Sequence, residues 1–264
     1  MNKIFESIQK GNPHKLTKKQ HFIPKSQIKR FENKNGKVFC KNLKSKKIVE
    51  INSNDSIFKV QRLWAEFAEK GYMKSIEDNF NKLVDCILNS SIKKFTNEQS
   101  RIICDMYTLW ERRVYHIEEF NKNPDLFIKL DEISENNYTQ DEKEKIESMH
   151  MSYVNENGEI SNRDLIAGQI QIFILSSPYK KIQWGILKSE NKTFVMPSNP
   201  CMSNNYDKAT IIFPISPYYC LVPIGIYREI NDKDVDYLND TMINNSKWFY
   251  FSSFLISNLW PKNK

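Results

Sequence analysis

The 264-residue chain is 40% hydrophobic and 12% aromatic, enough to build a core, which excludes wholesale disorder. Seven glycines, with no G-x-x-x-x-G-K-[ST] or G-x-G-x-x-G string, exclude the glycine-looped phosphate cradles. The net charge of +7 is uneven: residues 1–50 hold 14 Lys or Arg against Glu6, Glu32 and Glu50, a local +11 that leaves −4 for the remainder.

A basic arm on a mildly acidic body suits a polyanion, either nucleic acid or an anionic membrane. Lysine-rich codon usage in an AT-rich genome gives the same composition. Five scattered cysteines without C-x-x-C or zinc-like spacing point to reduced thiols and no metal. The start Met1-Asn2-Lys3-Ile4-Phe5 is not a secretory signal, and no run of about 18 apolar residues exists, so a cytoplasmic, membrane-free protein is expected.

In chain order, residues 1–20 read as a basic, loose arm. Pro24 suits the first turn of a helix over 24–31 that carries Ile28 and Phe31 inward. Strands are expected at 37–40 and 47–51, around the turn signal Asn33-Lys34-Asn35-Gly36. A helical region follows. Ile76, Phe80, Leu83, Val84 and Ile87 share one helix face, and Thr96 with Gln99 forms a capping box that opens a second helix running to Asn121. Residues 131–148 read as a solvated acidic helix and its loops, and 161–175 as a third apolar helix. Beyond Pro178 the period changes to strands at 182–187, 193–196, 210–213 and 220–224, a helix near 232–245 and a strand at 248–251. The expected architecture is one α+β domain over 1–264, with an arm at 1–20, strands in 21–60, helices in 61–176 and a β-rich part at 180–264.

The string His21-Phe22-Ile23-Pro24 with Ile28 and Phe31 resembles H-x-x-P-x-x-x-L/I-x-x-F, the opening signature of a bacterial domain-of-unknown-function family, number 4238. Ile76-Glu77, the Arg112-Arg113 pair within a helix, Trp184, Phe194-Val195-Met196-Pro197-Ser198-Asn199-Pro200, Pro214-Ile215-Ser216-Pro217 and Leu238-Asn239 resemble its later motifs, in order. The likeness spans about residues 19 to 255. It implies candidate positions and no chemistry, because the family carries no assigned activity. Where the family pattern has Asp before Asn-Pro this chain has Ser198, and Pro197 replaces a Ser, which counts against hydrolytic catalysis here.

His21 precedes a Pro-started helix whose positive end favours the neutral imidazole, so it can serve as a general base near pH 7, or it can hydrogen-bond the backbone and fix the arm. An HNH nuclease reading of H-x-x-P-K-S fails, because the next histidine is His116. Arg113 shares an apolar helix stripe with Met106, Trp110, Ile117 and Phe120. There it is either an anion clamp or half of an internal ion pair with Glu77 or Asp85, while Glu111 and Arg112 are expected to face solvent. Asn199, Ser198 and Ser216 sit in Pro-ended loops and either orient a substrate or cap turns. Lys25 and Arg30 are candidate phosphate contacts. Phe31, Phe39, Trp64 and Phe67 beside the lysines suit single strands if exposed and a core if not.

The expected partner is RNA or single-stranded DNA. If there is an activity, it is metal-independent phosphodiester cleavage with His21 as base, Arg113 opposite the phosphate charge and no cofactor. The alternatives are a non-catalytic module that docks a protein or nucleic acid through the same basic face, and a small-molecule hydrolase in which Arg113 binds a carboxylate.

Overall fold

A computed structural model describes residues 7–89, 92–123, 138–154, 158–203 and 210–255, and the fold it gives is α+β. Strand β1 (Gln20–His21) pairs antiparallel with β4 (Lys59–Val60). Between them lie helix α1 (Lys25–Lys29) and the hairpin of β2 (Val38–Asn42) and β3 (Ile48–Ile51). Pro24 caps α1 from outside, and Ile28 and Phe31 are wholly buried, as their spacing requires.

The helical layer follows. Short α2 (Glu66–Lys70) leads into α3 (Tyr72–Asn89), which packs on the long α4 (Asn97–Lys122). Thr96 and Gln99 form the expected capping box, each side chain accepting from the other's backbone N–H. Helices α5 (Gln140–Ser148) and α6 (Asn162–Leu175) complete the layer; the segment 131–137 lies outside the described residues. Helix α5 is less solvated than its composition suggests, because Glu144 and Glu147 are both buried in hydrogen-bonded or ion-paired positions.

The C-terminal part builds two sheets. One has the order β10-β5-β9-β8-β7, from β5 (Gly185–Ser189), β7 (Cys201–Ser203), β8 (Thr210–Ser216), β9 (Tyr219–Val222) and β10 (Tyr227–Ile230). It is antiparallel except for β10 against β5. The other places β11 (Phe249–Ser252) between β6 (Met196–Pro197) and the N-terminal hairpin, in the order β3-β2-β11-β6, so the first hairpin and the last described strand share one sheet. Helix α7 (Asp232–Asn245) packs beside β6 and β7.

The strand expected at 193–196 shrinks to β6. The amide of Phe194 donates to Pro217 O and that of Val195 to Asn239 Oδ1, so neither is free for a strand ladder. The expected strand 182–187 likewise starts late, because a 3-10 turn over Pro178–Lys181 comes first. One apolar cluster runs from Phe22 through α3, α4 and α6 to Phe251. Phe58 and Phe31 meet Phe251 edge-on at 5.3 and 5.6 Å, and Phe80 stacks on Phe213 at 5.3 Å, tying helices to both sheets.

Candidate functional site

His21 occupies β1 opposite Lys59, and its Nε2 lies 3.0 Å from the carbonyl oxygen of Ser53. A carbonyl only accepts, so Nε2 carries the proton and Nδ1 keeps its lone pair. Among the described residues no group pairs with Nδ1. The half-buried imidazole titrates below the ordinary histidine range. Burial is the main cause, the Ser53 bond opposes it, and the charges of Lys59, Lys25 and Arg113 add to the lowering. The five-residue α1 is too short to be the main source of that shift, which the sequence alone assigned to a helix end. The result is a neutral base set among cations.

Arg113 is 1% exposed, with Nη1 2.5 Å from Glu77 Oε1 and Nη2 3.7 Å from Glu69 Oε2. Nη2 also points at the Met73 sulfur at 3.5 Å, and the guanidinium stands 5.0 Å over the Trp64 ring. Trp64 donates its indole N–H to Glu69 at 2.6 Å. Burial raises the Glu69 carboxyl, and Arg113 and the Trp64 bond pull it back. Arg113 is therefore held through its two Nη atoms, with α3 and α2 supplying two carboxylates to one cation of α4, while its buried Nε has no partner among the described residues. Asp85, the other partner considered, binds Arg30 at 3.1 Å, and Arg30 also donates to Asn81. Arg30 thus docks α1 on α3.

Ser198 and Asn199 hold the loop after α7. Ser198 Oγ accepts from the amides of Trp248 (3.1 Å) and Lys247 (3.3 Å), Asn199 Oδ1 accepts from Lys247 N (2.8 Å), and Asn199 Nδ2 donates to Asn245 O (3.1 Å). Ser216 Oγ accepts from Tyr218 N at 3.4 Å within the β8–β9 turn. Asn239 clamps 193–195, donating to Thr193 O and accepting from Val195 N, both at 2.9 Å. Asn199 also lines a cavity of about 220 Å³ with Tyr107, Glu111, Arg112, Glu118 and Lys247. Glu111 and Arg112 pair with each other at 3.0 Å there, half-buried rather than facing solvent, and Arg112 lies 4.1 Å over Phe173.

The basic character of the N-terminal quarter persists in three dimensions. None of the twelve lysines from Lys10 to Lys47 forms an ion pair with a described residue; ten are exposed, and Lys25 and Lys41 are half-buried. Some lysines elsewhere are engaged, as Lys188 with Glu229 and Lys247 with Glu118, whereas Lys82, Lys93, Lys94 and Lys181 also form no ion pair with a described residue. The arm itself is tied down from residue 9. Gln9 N donates to Glu144 at 2.7 Å, and Thr17 donates to Glu66. The nearby aromatics do not offer stacking faces: Phe31 and Trp64 are buried, and Phe39 and Phe67 are half-buried against the core.

Sequence reasoning missed a buried triad, in which Glu147 of α5 bridges Arg62 and Arg163. Glu147 is 85 residues from Arg62 and 16 from Arg163, with no motif to join them. Among the described residues no cluster of His, Cys, Asp and Glu is arranged to hold a metal, and no helix is long and apolar enough to cross a membrane.

No curated protein matches the chain, and no solved structure matches it either. A family model described as "Protein of unknown function (DUF4238)" matches residues 19–258, from just before His21 to beyond β11. The match takes in His21, Glu77, Arg113, Ser198-Asn199 and Asn239 together with the whole fold that joins them, and the chain belongs to that family.

Proposed function

We propose that the protein binds single-stranded nucleic acid, RNA or DNA, through its lysine-rich N-terminal quarter, with His21, Lys25 and Lys59 at the point where a phosphate is received. The observation that carries this reading is that none of the twelve lysines from Lys10 to Lys47 forms an ion pair with a described residue. Buried or half-buried aromatics leave charge as the driving force, so binding is sequence-indifferent and steeply salt-dependent. In this reading Arg30 and Arg113 position α1 and the helical layer, and Asn199, Ser198 and Ser216 hold loops.

The lone pair on Nδ1 of His21 favours a second reading in which the same face cleaves RNA without a metal. Nδ1 would take the proton of a ribose 2′-hydroxyl as that oxygen attacks the adjacent phosphorus, forming a 2′,3′-cyclic phosphate, and the 5′-oxygen leaves with a proton from water. A bound phosphate offsets the surrounding positive charge and raises the His21 pKa toward neutrality, which improves it as a base. Labelled single-stranded RNA and DNA, incubated with the protein and with His21→Ala, with and without EDTA, separate the readings. Retention of both strands intact, with binding, supports the binding module. EDTA-resistant loss of RNA alone, abolished in folded His21→Ala, supports cleavage. Absence of binding to either strand at low salt refutes both.

A further inference from the structure

The N-terminal end of α4 opens into a cleft of about 400 Å³, within the size range of small-molecule sites. Lys94, Lys180 and Lys181 line it with Asn97 and Ser100, and no Asp or Glu is among its walls. Lys94 and Lys181 form no ion pair with a described residue, while Lys180 donates to the Leu175 carbonyl at the end of α6. Asn97 is the first residue of a 26-residue helix, so the positive end of that helix faces the same space. The capping box uses the Gln99 N–H, and the amides of Asn97 and Glu98 find no acceptor among the described residues. Glu98, the acid of that first turn, is exposed and stands off the cleft wall.

A second observation is independent of the helix end. Trp184 forms part of the wall, is 1% exposed, and its indole N–H has no hydrogen-bond partner among the described residues. A buried donor left without an acceptor is rare in a folded protein, and this one belongs to a residue of the cleft wall. Phe95 and Ile182 give the cleft an apolar side.

We propose that this cleft binds the phosphate of a small phosphomonoester of roughly mononucleotide size. A phosphate brings close to two negative charges and several acceptor oxygens, which suits three ammonium groups and a helix N-terminus better than a single carboxylate does. Asn97 and Arg113 are separated by sixteen positions, about 24 Å along α4, so the cleft is distinct from the His21 face.

Isothermal titration of the full-length protein with AMP, inorganic phosphate and adenosine, at constant ionic strength, tests this. AMP and phosphate are expected to bind and adenosine not to. The exposed-residue double variant Lys94→Ala/Lys181→Ala is expected to keep the wild-type melting temperature and weaken AMP at least tenfold, whereas Lys233→Gln, at an exposed position of α7, leaves AMP binding unchanged. Trp184→Phe, which deletes the N–H and keeps an aromatic ring, is expected to weaken AMP severalfold. Adenosine binding as tightly as AMP, an AMP affinity untouched by the double variant, or no binding of any phosphate probe at millimolar concentration would overturn the proposal.

Discussion

Replacing Arg113 by Leu tests the electrostatic centre of the helical layer. The guanidinium is buried, sits 2.5 Å from one carboxylate and 3.7 Å from another, and covers the Trp64 ring at 5.0 Å. Leu fills much of the volume, yet it leaves Glu69 and Glu77 facing each other without a cation. Removing one member of a buried pair costs about 3–5 kcal/mol, and that is the expected loss at pH 7. Glu77→Gln is milder, about 1–2 kcal/mol, since Gln still accepts from Arg113 and Glu69 retains the opposite charge. The pH dependence follows from Glu69. Its carboxyl already titrates above the ordinary range because of burial, and Arg113 is what restrains it. A carboxyl raised in the folded state binds its proton more tightly there than when unfolded. Its contribution is therefore fully present below its unfolded pKa and lost as pH rises through the folded one. Without Arg113 the folded pKa climbs further, so the Leu penalty shrinks on going from pH 7 to pH 5. Urea denaturation at both pH values, with matching m-values, measures this. A loss below about 1 kcal/mol at pH 7, or a loss that grows on acidification, would refute the reasoning.

Ser198→Ala leaves the Trp248 amide without its acceptor and is expected to lower stability by about 1–3 kcal/mol by denaturant titration, with nucleic-acid binding unchanged. Glu147→Gln in the Arg62–Glu147–Arg163 triad strips the shared carboxylate from two buried cations, and a loss of about 3–5 kcal/mol is expected in the same measurement. Burial holds the 3%-exposed His116 down at about 4, so it folds neutral and must charge on acid unfolding. A histidine depressed in the folded state stabilises above its unfolded pKa, and that contribution fades as pH falls from about 6.5 toward 4. His116→Phe should accordingly flatten the acid limb of the melting-temperature profile over that window.

Much of the architecture was legible because local chemistry and global packing agree. The Thr96–Gln99 box starts α4 and Ser161 caps α6, while the spacing of Phe80, Leu83, Val84 and Ile87 buries one face of α3. What escaped was long-range. His21 belongs to a two-residue ladder with β4, whose partner lies 38 positions on, and the last strand inserts beside the first hairpin. The parallel pairing of β10 with β5 left no periodic trace in four residues. At the site, the Glu77–Arg113 alternative was readable from helix spacing, but the second carboxylate on α2 and the Trp64 face were not. Ser198 invited a reading as a lost catalytic acid. Its hydroxyl accepts from two loop amides and donates to Asn199 Oδ1 at 3.1 Å, so in this chain the residue holds a loop.

The salt dependence of single-stranded RNA binding tests the central claim most directly. Fluorescence anisotropy across 50–300 mM NaCl should give a linear fall of log affinity with log salt, at a slope of about −0.7 for each phosphate neutralised. In Lys18→Gln/Lys19→Gln/Lys25→Gln, with an unchanged melting temperature, that slope should shallow by about 2 if all three lysines meet phosphates. A slope and affinity identical to the wild type, or a wild-type affinity that does not respond to salt, would contradict the assignment of the N-terminal lysines to nucleic acid.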